Sequence, residues 1–224
     1  MDTVTAAMDA PLVAGWQSPP PPPRGLDAYP RRELGKGERL YGAGDPADTV
    51  FRVDQGLVKL SIDVASGRER IIGVAGPGDL IGALTPGQRD LHEGAEALSG
   101  SVVVTVVPRA EAADFEPALF RAAGDQLARV TLALEDGELP VAARLARALL
   151  RLGERFGQPS ESGIVRLTLP LTHENLAAMI GAARETTTAT LGELRQLGLL
   201  EGTRGSYRFR PEPLFDYAQR SALS

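Results

Sequence analysis

The hydrophobic period of this chain changes once, near Pro108, and that change restricts the available folds more than any other feature. Between Arg31 and Pro108 apolar residues come in short β-type runs: Arg39-Leu40-Tyr41, Thr49 to Val53, Leu57 to Ile62, Glu69 to Val74 and Ser101 to Val107. Turn residues separate them at Gly35-Lys36-Gly37, Gly42 to Pro46, Asp54-Gln55-Gly56, Ser66-Gly67 and Gly76-Pro77-Gly78. Short strands alternating with turns at this spacing predict a sandwich or barrel-like β domain. Beyond Pro108 the residues Phe115, Leu119, Ala123, Leu127, Val130 and Leu134 recur at three- and four-residue steps, the stripe of a long helix. Glu135 to Pro140 interrupts it, and Val141 to Phe156 resumes as a second helix with Leu145, Ala148, Leu149 and Leu152 on one face. Gly157 to Gly163 reads as a linker.

The last third has a denser grammar. Ile164 to Leu169 reads as a strand, Thr172 to Ile180 as a helix, Gly181-Ala182-Ala183 as a turn and Arg184 to Leu197 as a second helix. Leu199 to Glu201 and Ser206 to Phe209 then read as two strands about Thr203-Arg204-Gly205. Helix, small-residue turn, helix and hairpin in this order is the winged helix-turn-helix pattern. Thr172 can cap the first helix, whose inner face is Leu176, Met179 and Ile180, and Gly181 permits the sharp turn. In the second helix Ala183, Thr187, Leu191 and Leu194 form the expected buried stripe, which leaves Arg184, Glu185, Thr188 and Ala189 on the outer face. The chemistry suits base edges: an arginine grips guanine O6 and N7 bidentately, a glutamate accepts from cytosine N4, and threonines bond phosphate or touch a thymine methyl.

Composition excludes more than it selects. The 224 residues contain no cysteine, which removes disulfides, thiolate metal sites, cysteine-ligated clusters and cysteine nucleophiles. The two histidines are His92 and His173, a poor basis for haem ligation. No Gly-x-Ser-x-Gly elbow, phosphate loop or histidine-carboxylate cluster points to an enzyme, and neither a metal nor a cofactor is expected. A net charge of −5 and a pI near 5.2 do not advertise nucleic-acid binding, although phosphate contacts need only local positive charge. No run approaches the ~20 apolar residues of a membrane span, and Met1 to Trp16 lacks the form of a secretory signal, so a cytoplasmic location is expected. Pro19 to Pro23 marks residues 1–25 as a disordered, proline-rich arm.

The segment Leu171 to Leu200, with Ile180-Gly181-Ala182-Ala183-Arg184-Glu185-Thr186-Thr187-Thr188 and Gly198-Leu199-Leu200, closely resembles catabolite-activator/fumarate-nitrate-regulator (CRP/FNR) transcription regulators. So do Gly37-Glu38, Gly44-Asp45-Pro46-Ala47, Gly56-Leu57-Val58-Lys59-Leu60 and Gly76-Pro77-Gly78-Asp79-Leu80-Ile81-Gly82 in the β region. The likeness spans about Arg31 to Phe209. It implies an α+β chain divided into a cyclic-nucleotide-binding-like β-roll sensor at 26–110, a long dimerisation helix at 111–138 and a winged helix-turn-helix at 139–224. The expected partners are double-stranded operator DNA and a second copy of the chain, held through Leu119, Ala123, Leu127, Val130 and Leu134. In an activator, RNA polymerase would meet Gln158 to Gly163. The resemblance also implies that Arg184 and Glu185 read a guanine-cytosine pair, that Thr186 and Thr188 support them, and that Thr172 and His173 lie at the phosphate backbone. Arg204 is the expected contact of the wing. Relatives commonly place a second base-reading arginine where this chain has Ala189.

The sensor departs from its cyclic-nucleotide-binding relatives. They carry a glutamate after the glycine of the Gly82 position, where this chain has Ala83, and an Arg-Ser pair that falls on His92-Glu93. Arg89 is the alternative cation. Cyclic-AMP sensors present Thr-Ser to the adenine near the position of Arg129-Val130. The expected effector pocket is therefore Gly82, Ala83, Leu84, Arg89, His92, Glu93 and Arg129, and without a cation and a ribose acceptor it is expected to work without cyclic AMP. The alternative is a regulator whose DNA binding requires the nucleotide.

Overall fold

The computed structural model describes residues 25–65, 67–203 and 205–223, with nothing said of the Asp27 side chain; the proline-rich arm and Arg204 lie outside the described residues. Two compact units emerge, one built from residues 25–139 and Pro170–Arg184, the other from Pro140–Leu169 and 185–223.

The first unit holds two four-stranded antiparallel sheets. One runs in the order β1 (Arg31–Gly35), β8 (Ser101–Pro108), β3 (Thr49–Gln55), β6 (Leu80–Gly82). The other runs β2 (Arg39–Tyr41), β7 (Gly94–Ala97), β4 (Val58–Asp63), β5 (Glu69–Ala75). Leu34, Phe51, Val53, Val102 and Val104 from the first sheet meet Leu40, Val58, Leu60, Ala75 and Ala95 from the second in one core. β3 is buried on both faces, so Arg52 lies inside, 2.6 Å from Asp54, whose other oxygen accepts from the Thr105 hydroxyl at 2.7 Å. This internal pairing makes a buried guanidinium tolerable. A second apolar cluster joins Leu26, Val50, Leu80, Ala83, Leu84, Val107 and Phe115 to Leu119 of α1 (Glu116–Gly137). The α3 helix (His173–Ile180) also belongs to this unit and packs on β5.

The expected helix stripe therefore divides. Leu119 is fully buried in its own chain, because its position faces the β3–β8 sheet. Ala123 and Val130 are half-buried. Phe120, Leu127 and Leu134, seven residues apart, are 82%, 68% and 71% exposed. The exposed apolar face thus starts one residue later than the expected stripe, at Phe120.

The second unit packs α2 (Val141–Phe156) on α5 (Pro211–Ala222) and adds the sheet β11 (Glu201–Thr203), β12 (Ser206–Phe209), β10 (Val165–Thr168), β9 (Gln158–Pro159). α2 is amphipathic as read, with Leu145, Ala148, Leu149 and Leu152 buried. Two readings shift. The first wing strand begins at Glu201 rather than Leu199, since the helix α4 (Arg184–Gln196) is followed by a turn whose Leu199 and Leu200 amides bond back to Leu194. The expected linker contains β9, which pairs with Val165 and Arg166.

Candidate functional site

The turn between α3 and α4 is built from local chemistry. The Thr172 hydroxyl accepts from the Asn175 amide at 3.1 Å, and Asn175 Oδ1 accepts from the Thr172 amide at 2.9 Å, a reciprocal cap that fixes where α3 starts. Gly181 ends α3 at φ 62°, a left-handed conformation that a side chain would strain, and the Ala182 amide returns to the Ala177 carbonyl at 3.0 Å. α4 starts at Arg184.

Along α4, Thr187, Thr190, Leu191 and Leu194 are buried, and Arg184, Glu185, Thr186, Thr188 and Ala189 are exposed. Ala183 is exposed, contrary to its expected place in the buried stripe; it precedes the first helical residue, so the helix phase does not govern it. Buried Thr190 satisfies its hydroxyl within the helix, donating to the Thr186 carbonyl at 2.9 Å. Farther along, Arg195 Nε donates to the Gly202 carbonyl at 2.8 Å, tying α4 to the wing hairpin. Arg184 lies 4.0 Å from Glu174, with both side chains mostly exposed, too loose a pair to hold the guanidinium. Thr172 and His173 are half-buried at the start of α3. The outer face of α4 thus offers donors and acceptors at a helix N-terminus, over a buried stripe that holds them in place.

The sensor region has the opposite character. Gly82 has φ +95°, and a Cβ there would lie 2.6 Å from the Thr49 carbonyl oxygen. Ala83 and Leu84 are buried in the apolar cluster beside α1. Arg89 and His92 are exposed. Glu93 is only 4% exposed and accepts from the Tyr41 hydroxyl at 3.4 Å. Burial pushes the Glu93 carboxyl up, while a hydrogen bond from Gln126 and the Arg129 charge, both on α1, pull it back. Burial together with the Glu93 charge holds the Tyr41 hydroxyl well above its ordinary range. The Arg129 stem lies across Gly73, where a Cβ would be 2.7 Å from its Cδ.

Structure therefore brings Glu93 and Arg129 together with Tyr41 and Gln126, which sequence reading missed; His92, next to Glu93 in the chain, is exposed but its charge acts on that carboxyl, and Arg89 is exposed. Of the expected effector residues, Arg129 alone lines the shallow pocket formed with Ala75, Gly78, Leu80, Arg121 and Asp125. Phe120 was also missed; its seven-residue spacing from Leu127 and Leu134 was the available signal. Among the described residues no cluster of histidine or acidic side chains could hold a metal ion, and no helix is long and apolar enough to cross a membrane.

Comparison with known proteins agrees with this geometry. A family model for the cyclic nucleotide-binding domain matches residues 31–115, and one for the Crp-like helix-turn-helix domain matches residues 143–210. Regulatory protein CysR from Synechococcus elongatus is 35% identical over 185 residues, covering 79% of this chain and 84% of that one. A CRP-like cAMP-activated global transcriptional regulator from Mycobacterium tuberculosis is 29% identical, covering 73% and 76%. Among solved structures, TTHA1359, a CRP/FNR-family transcriptional regulator from Thermus thermophilus, superposes with a TM-score of 0.69 at 28% identity, covering 86% of this chain and all of that one. FixK2 from Bradyrhizobium japonicum shares the fold, with a TM-score of 0.73 at 23% identity, covering 84% and 96%. A β-roll followed by a long helix and a winged helix-turn-helix defines a transcription regulator with a DNA-binding module. The chain belongs to the CRP/FNR family.

Proposed function

We propose that this protein binds a two-fold operator as a homodimer, and that it does so without cyclic AMP. The observation that carries the DNA-reading half is the exposed row Arg184, Glu185, Thr186 and Thr188 at the N-terminal end of α4, above buried Thr187, Leu191 and Leu194. A recognition helix meets base edges with those positions, and two of them in a dimer address half-sites about 34 Å apart. Thr172 and His173 then serve the phosphate backbone, which positions without specifying. Exposed Phe120, Leu127 and Leu134 support the dimer: three large apolar side chains on one helix face need a partner, and a second α1 supplies one.

The effector half rests on the buried cluster of Glu93, Tyr41, Gln126 and Arg129, in which the Tyr41 hydroxyl already donates to one Glu93 oxygen. A cyclic phosphate entering here would meet the buried Glu93 carboxyl together with the Arg129 charge that already acts on it. Ala83 offers no ribose acceptor. The M. tuberculosis relative is named for activation by cyclic AMP; these two positions are the reason not to carry that trait over. Selection on randomised DNA with purified, nucleotide-free protein tests both halves. A two-fold motif should be enriched. Enrichment only when cyclic AMP is added would overturn the effector half, and no motif under either condition would overturn the first.

A further inference from the structure

β5 of the roll carries Arg70, half-buried and paired in register with Ile62 of β4. Its Nη2 donates to the Ala133 carbonyl, one turn before the end of α1, at 3.4 Å. Its Nη1 occupies the space beside Gly181, so that a Cβ on Gly181 would collide with it. Gly181 is the C-cap of α3. One guanidinium therefore sits at the C-terminal ends of two helices, where carbonyl groups concentrate negative potential, and its planar fork can address two directions at once.

We propose that Arg70 is the positioning residue through which the β-roll holds α3, the first helix of the DNA-reading pair, in register with the end of α1. This rests on the DNA-reading proposal above. The contact is a support and not an autoinhibitory mask, because Arg184, Glu185, Thr186, Thr188 and Ala189 all stay exposed while it is closed. A support of this kind matters most when two helix-turn-helix units must engage DNA together, since simultaneous binding depends on their fixed separation.

The test compares a two-fold operator with the same DNA carrying one scrambled half-site. Arg70→Ala should weaken binding to the two-fold operator about tenfold and to the single half-site by less than about twofold. Arg70→Lys, which keeps the charge without the fork, should fall between. Amide hydrogen exchange in α3 should be faster in Arg70→Ala without any DNA present. Gly181→Ala provides a second route, because its methyl displaces the guanidinium; the double variant should then bind no worse than Gly181→Ala alone. Unchanged affinity for both DNAs, an equal loss on both, or additive effects in the double variant would overturn the proposal. A parent protein that binds neither DNA would instead overturn the DNA-reading proposal, and this one with it.

Discussion

The β-roll and the helix-turn-helix each gather polar side chains, but they finish the task differently. Around Glu93 the polar groups face inward and meet one another: a tyrosine from β2, a glutamine and an arginine from α1. On α4 the polar groups face outward, and Arg184 lies 4.0 Å from Glu174 with both side chains mostly exposed. Where polar groups are already paired, as Tyr41 is with one Glu93 oxygen, a ligand's contact must replace one that exists, while the second Glu93 oxygen keeps no hydrogen-bond partner. A site of exposed donors over a rigid stripe is complete only when a partner supplies acceptors. The exposed face of α1 also faces outward, with apolar groups in place of polar ones.

Five changes break or sharpen this contrast. The largest effect is expected at α1, where Leu127→Glu with Leu134→Glu should give monomers in light scattering and lower operator affinity by on the order of 100-fold. Dimers of unchanged mass would remove the helix from the interface. Next, Arg184→Ala should cost about 1–3 kcal/mol in operator binding and relax preference at one base pair per half-site. Thr172→Ala should weaken all sequences alike, and identical selection profiles for Arg184→Ala and the parent would show that α4 does not read bases. The converse change, Ala189→Arg, adds a donor fork to the open site and should tighten binding to operators with guanine at the neighbouring position, with little effect on others.

At the closed site the readout is pH. Burial holds the Glu93 carboxyl above its ordinary value of 4.5 in the folded protein. A proton held more tightly in the folded state contributes stability that is present below the ordinary value and lost as pH rises through the folded one. The parent should therefore lose stability across that window relative to Glu93→Gln, measured by urea unfolding at several pH values. Parallel curves would mean that Glu93 is no more perturbed than a surface carboxylate. The smallest effect is a null one: saturating cyclic AMP should leave operator affinity within about twofold and the melting temperature unmoved.

Much of the fold was legible because periodicity carries it. Thr49 to Val53, Leu57 to Ile62 and Ser101 to Val107 match strands closely, and the capped turn from Thr172 through Gly181 to Arg184 is written in local chemistry. The omissions share a cause, which is tertiary pairing overriding weak local preference. β1 is Arg-Arg-Glu-Leu-Gly, with only Leu34 buried, and it holds as an edge strand against β8. β7 is Gly-Ala-Glu-Ala, poor in β-formers, and it pairs on both sides with β2 and β4. The α5 helix opens on Pro211 and Pro213, a start signal that lies beyond the hairpin pattern. At the candidate site, α4's exposed face followed from helix phase, whereas the joining of Tyr41, Glu93, Gln126 and Arg129, and of Arg70 with Gly181, depends on contacts between residues far apart in sequence. No local pattern announces them.

Ala83 has a consequence for how this chain can change over generations. Its methyl shares an apolar cluster with Leu26, Val107, Phe115 and Leu119, and none of its surface reaches solvent. A glutamate introduced there would place a carboxylate among alkyl and aromatic groups before any ribose was present to meet it, a desolvation cost of several kcal/mol. The core is closed over this position, so a glutamate could enter it only after the packing beneath α1 had loosened.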